Sequence, residues 1–176
     1  NGEGESVNGV ADSDSFFYSD LYEELSTKEW SDSGWLYSLD EAYFEGLSID
    51  EIKTLKSFIT RVFNVRELSV KNFVKDILVA KTKELESNIK SKDCNIEFWR
   101  WVKSECPDEI KKFKSLPLIA YGKDGDEDFY CIGDNSIYLS DALQPDNQYM
   151  ESLVKKYDED ALFISAEYLE SKQATT

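Results

Sequence analysis

Four carboxylates fall within five residues at Asp124-Gly-Asp-Glu-Asp128. Carboxylate oxygens are the ligands that hard cations such as Ca2+ prefer. The spacing is not that of an EF-hand loop, because glycine comes too early and the twelfth position holds Asn135 instead of Glu. Asp and Gly are also ordinary turn formers, so the run reads as a solvent-facing turn from Lys123 to Asp128. Asp158-Glu-Asp160 is a shorter acidic run and reads as a connection between a helix and a strand.

Nucleophilic chemistry has little to work with. Cys106 precedes Pro107 and lies near Lys103, and a nearby cation lowers a thiol pKa, but the sequence offers it no base. Histidine is absent, which removes the commonest general base and the Ser/His and Cys/His pairs. Cys94, Cys106 and Cys131 make an odd number without a C-x-x-C pair, against both a disulfide framework and a Cys/His zinc site. No catalytic, cofactor-binding or metal-ligating residue is assigned. Two indoles stand out as partner contacts. Trp99-Arg-Trp101 puts its tryptophans on different helix faces, so Trp101 is the harder to place in the same core, and Trp35 belongs to an aromatic cluster with Trp30 and Tyr37 in an acidic segment. A surface Trp can anchor a partner.

The elements that must position these residues follow from periodicity and caps. Phe17, Leu21 and Leu25 recur at helical spacing after Asp14 and Ser15 as caps, which predicts a short helix over 16–25. Ser48-Ile-Asp-Glu51 has the form of a capping box. Ile52, Leu55, Phe58, Ile59, Val62 and Phe63 then share one face of a helix that stops near Asn64. Ser69 caps a second amphipathic helix running to about Lys90, with Lys81 the odd member of its apolar face, and Asn95 opens a third that Pro107 ends. Strand signals cluster between Leu116 and Leu139 and return at Ala161–Ser165. Pro117 belongs at a strand's first residue or on a sheet edge, and that edge with its neighbouring aromatics is where recognition is expected. Tyr149, Met150, Leu153 and Val154 describe a further helix.

The pattern predicts an α+β fold, with amphipathic helices packed against a small, mainly antiparallel sheet in the C-terminal part. Residues 1–15 read as a flexible acidic lead-in or linker and 16–176 as a single domain. Within it fall a helical part to 113, a β-containing part over 114–170 and a frayed tail from 171. At 176 residues, 41% of them hydrophobic, the chain can bury a real core despite 32% charged residues. The net charge of −16 is uneven: residues 1–50 carry 13 acids and 1 base, 51–115 carry 10 and 15, and 116–176 carry 13 and 4. Such a chain repels phosphates, so the expected partner is protein, with no nucleic acid and no membrane. Without a long apolar run or a signal-like segment, the expectation is a cytoplasmic protein.

Trp30, Gly34-Trp35-Leu-Tyr-Ser-Leu39, Tyr43-Phe44, Leu55-Lys-Ser-Phe58, Phe63-Asn-Val65, Phe98-Trp-Arg-Trp101, Leu116-Pro-Leu118 and Ile137-Tyr-Leu-Ser-Asp141 together resemble a segment of large sacsin-type and No Vein-type proteins. In that family the segment lies downstream of a GHKL-type ATPase module. The ATPase motifs themselves, an acidic-x-x-Asn helix box and an Asp-x-Gly-x-Gly loop, have no counterpart here, and Asp124–Asp128 departs from the latter. The resemblance implies a non-catalytic interaction or scaffold domain of a chaperone-like multidomain protein, in contact with other domains of the parent chain or with a partner protein. A small hydrolase or transferase using carboxylates, and an acidic protein mimicking nucleic acid, are the alternatives. The first requires convergent acids with perturbed pKa values. The second requires carboxylates at phosphate-like spacing on one surface.

Overall fold

The computed structural model describes residues 15–17, 19–122, 124–133, 136–144 and 149–169. Most of the expected lead-in and the whole tail lie outside them, as do Asp14, Lys123 and Asn135. The fold is α+β. The chain divides into two compact units, Asn1–Ala80 and Lys81–Thr176. The second takes in helices and a sheet together, so the helical and β-containing parts separated at 113 in the sequence do not coincide with the units. Among the described residues no helix is long and apolar enough to cross a membrane.

The first unit is built on three short parallel strands. β1 (Ser15–Phe17) is followed by α1 (Asp20–Ser26), β2 (Tyr37–Leu39), α2 (Ile49–Phe63) and β3 (Arg66–Glu67), and β1 lies between β2 and β3. The helix expected over 16–25 therefore starts at Asp20. Ser15 to Phe17 pair as a strand, which suits an aromatic pair, and the cap is Ser19, whose Oγ accepts from the Tyr22 N–H at 3.2 Å. Trp30, Trp35 and Leu36 are buried. Asp32 Oδ1 accepts from the Gly34 N–H at 2.8 Å and shapes the turn that carries Trp35 inward.

α2 has its capping box: Ser48 N–H donates to Glu51 Oε2 (2.8 Å), and Glu51 N–H donates to Ser48 Oγ (3.4 Å). It ends at Asn64, whose φ of 57° is the left-handed stop that Asn tolerates better than most residues. Ile59 packs with Phe17 and Val65, while Leu55, Leu39 and Phe44 cover them. The apolar face is wider than this contact, and Phe58, Val62 and Phe63 stay exposed.

The long helix expected from Ser69 to Lys90 is broken. α3 (Val70–Asn72) passes into a π turn, Phe73–Leu78, and α4 (Thr82–Asn88) follows in the second unit after a turn. The wider winding buries Phe73, Val74, Ile77 and Leu78 together. The chain then turns at Val79–Lys81, where the apolar pattern is interrupted by a lysine.

In the second unit α5 (Lys92–Glu105) begins three residues before Asn95, capped by Ser91 Oγ, which accepts from the Cys94 N–H at 3.3 Å. A 3-10 helix, Pro107–Phe113, leads to β4 (Pro117–Tyr121), β5 (Glu127–Cys131), β6 (Ile137–Tyr138), α6 (Met150–Tyr157) and β7 (Leu162–Ile164). The strand order is β5-β4-β7-β6. β4 is antiparallel to both neighbours, and β6 is parallel to β7. The expected edge strand at Pro117 is thus an interior strand. Proline fits there because it occupies the first residue, where no N–H is required, and Pro117 to Ala120 are buried. Phe98 packs edge-on against Trp99 and Phe113, at centroid distances of 5.2 and 5.7 Å. Phe113→Ala is expected to destabilise the second unit by about 3–5 kcal/mol, whereas Phe58→Ala on the outer side of α2 should change stability by less than about 0.5 kcal/mol; denaturant unfolding of both variants checks the contrast.

Candidate functional site

The acidic turn leads into a polar junction of the second unit. Glu127, the first residue of β5, accepts from Lys92 Nζ through Oε2 (2.9 Å) and from the Ser165 hydroxyl through Oε1. Lys92 also pairs with Glu167 at 2.5 Å. Two carboxylates raise the Lys92 pKa, Glu167 foremost, and the Ser165 hydroxyl and Lys92 lower that of Glu127. Asp128 Oδ1 is turned onto its neighbour's backbone, the Phe129 N–H, at 2.7 Å. Asp124 and Asp126 are exposed. Among the described residues no group of three or more His, Cys, Asp or Glu is placed to hold a metal ion.

Behind this pair lies a buried amide. Asn95 Nδ2 donates to the Ile89 carbonyl (3.1 Å) and the Pro117 carbonyl (2.9 Å), and Trp99 Nε1 donates to the same Pro117 oxygen at 2.9 Å. The Tyr168 hydroxyl donates to Asn95 Oδ1 and accepts from the Ile119 N–H at 2.7 Å. Burial pushes the Tyr168 pKa well above the usual phenol value. Arg100 Nη2 then donates to the carbonyls of Glu167 (3.0 Å) and Leu169 (2.7 Å). Helix α5, strand β4 and the turn after β7 are held by one set of bonds.

A second junction fixes α6. Glu151 Oε1 accepts from the Tyr121 hydroxyl (2.7 Å) and the Asp141 N–H (2.8 Å), while the Glu151 N–H donates to Asp141 Oδ1 at 3.1 Å. Lys155 pairs with Glu151 at 3.6 Å and stands 5.1 Å from the centroid of the Phe163 ring. Burial raises the Glu151 pKa, but the bonds from Tyr121 and Asp141 outweigh it and the net shift is downward. Tyr121 is pushed up to about 12 by burial and by the facing carboxylate.

These groups bind one another. Ser165 is fully buried and so has no approach for a substrate, and burial, with Glu109 and Glu105, pushes the Cys106 thiol up to about 11, the opposite of activation. The two indoles singled out in the sequence are also inside: Trp35 is 2% and Trp101 5% exposed, so neither presents a surface anchor. Each is packed into its own unit because its ring area is too large to leave in water.

The aromatic and apolar surface lies elsewhere. Tyr149 and Tyr157 are 82% and 86% exposed, Leu153 lies between them, and Phe58, Val62 and Phe63 line the outer side of α2. The helical periodicity of both segments was visible in the sequence, but which side faces inward was not. Compared with protein-family models, with curated proteins and with solved structures, the chain matches none.

Tyr168→Phe should leave the buried Ile119 N–H without its acceptor and destabilise the second unit by about 1–3 kcal/mol, read by denaturant unfolding. Glu127 and Glu151 have folded pKa values below the usual carboxylate value, so their contribution is present above about pH 4.3 and is lost as pH falls through the lowered values. Lys92 acts on the alkaline side, with a contribution kept below about pH 10.4 and lost as pH rises through its raised value. Thermal unfolding against pH should fall less steeply on the acid side in Glu127→Gln than in the parent.

Proposed function

We propose that the chain is a non-catalytic protein-contact domain. On its resemblance to the sacsin-type and No Vein-type segment, it belongs beside a GHKL-type ATPase module in a chaperone-like multidomain protein and touches neighbouring domains or a partner. The observation that carries this reading is that both units turn apolar helical surface outward, at Phe58, Val62 and Phe63 on α2 and at Tyr149, Leu153 and Tyr157 along α6. Exposed large apolar residues at helical spacing support such a reading, because exposed apolar patches mark interaction sites. The carboxylates that an enzyme would need point the other way. Glu127 and Glu151 are shifted downward, toward permanent ionisation, and are held by fixed protein donors, whereas a general acid at neutral pH requires an upward shift.

The test uses the full chain, immobilised and exposed to cell extract, beside Phe58→Ser and Tyr157→Ser variants whose fold is checked by circular dichroism. Proteins retained by the parent and lost from either variant are the expected result. Turnover of a nucleotide, ester, phosphate or glycoside substrate that Glu127→Gln or Glu151→Gln abolishes would overturn the reading.

A further inference from the structure

An ordinary amphipathic helix keeps its apolar residues inward and its charges outward, whereas in α6 two of the three charged residues, Glu151 and Lys155, are half-buried and Lys156 is exposed beside the exposed Leu153 and Tyr157. Glu151 and Lys155 face the sheet, where they bond Tyr121 and Asp141 and cover Phe163. Tyr149, Leu153 and Tyr157, at steps of four, form the exposed row, about 12 Å long at 1.5 Å per residue. Directly after the row comes Asp158-Glu-Asp160, whose Glu159 and Asp160 are exposed. The row therefore ends in a block of negative charge, within a segment where 13 acids stand against 4 bases.

Charge selects the occupant. A second copy would bring one acidic chain of net charge −16 against another, and like charges across an interface disfavour pairing. Phosphate-bearing surfaces are repelled for the same reason. A helix with apolar residues on one side and Lys or Arg beside them meets every feature. Its apolar residues lie along Tyr149, Leu153 and Tyr157, its cations reach Asp158–Asp160, and the tyrosine faces attract cations as well. We infer that the outward face of α6 docks a basic amphipathic helix of a partner protein, an inference that rests on the contact-domain reading and names its partner class.

The experiment titrates the full chain into two fluorescently labelled synthetic helical peptides with leucine at identical positions, one carrying lysine and the other glutamate at the polar positions. Anisotropy should show the lysine peptide binding more tightly by about tenfold or more. Leu153→Ala and Tyr157→Ala should each weaken it by about tenfold, added salt should weaken it, and Phe58→Ala should not. Equal binding of the two peptides, weakened in both by Leu153→Ala, overturns the basic partner while the contact surface stands. Self-association of the chain that Leu153→Ala abolishes, in place of peptide binding, has the same meaning. No peptide binding and no self-association, or binding that neither α6 substitution alters, overturns the inference and removes α6 from the contact reading.

Discussion

The second unit depends on the hydrogen bonds that converge on the Pro117 carbonyl and the Asn95 amide. A proline opening an interior strand contributes a carbonyl but no N–H, and Asn95 and Trp99 both donate to that oxygen from α5. The other end of the amide, Oδ1, takes the Tyr168 hydroxyl, which in turn accepts from Ile119 two residues further along β4. A buried amide left half satisfied would cost more than an apolar residue in its place, so each bond here is a condition for the others. Helix, strand and C-terminal turn are fixed together or not at all.

That economy bears on function. The largest perturbations, at Cys106, Tyr121 and Tyr168, are led by burial, and the shifts of Lys92, Glu127 and Glu151 come from internal partners. A perturbed pKa is often taken as a pointer to an active site, but structural ion-pair networks perturb pKa values too, and here each group's named partners lie within the second unit. The downward carboxylate shifts favour the ionised form already present at neutral pH. Under the contact-domain reading these residues hold a shape, and the surface does the recognition.

What could be read from the sequence was local. The capping box at Ser48, the cap at Ser69, the stop at Asn64 and the strands after Leu116 each depend on a few neighbouring residues and appear where expected. The misreadings all involve distant partners. Ser15–Phe17 is a strand because β2 and β3 flank it, more than twenty residues away. The helix after Ser69 breaks where tertiary packing, not periodicity, sets the winding. Asn95 looks like a cap until Pro117 and Tyr168, far along the chain, are brought to it. Spacing shows that the Trp99 and Trp101 indoles diverge, and composition shows that Trp35 sits in an aromatic cluster, but neither shows that distant parts of the chain cover Trp101 and Trp35.

α6 shows why outward apolar residues need not be a flaw of folding. Its attachment is polar on the inside, through Glu151 to Tyr121 and Asp141 and through Lys155 over the Phe163 ring. Those ties place the helix without help from Tyr149 or Tyr157, which are too exposed to add much burial energy. Under the contact-domain reading, a row that the unit does not need for its own packing, ending beside three consecutive acids, is surface left for another molecule. The same reasoning does not reach α2 as far, because Ile59 on that helix is already committed to Phe17 and Val65; its exposed Phe58 and Val62 extend a face that is in use, whereas the row on α6 stands apart from the face that holds it.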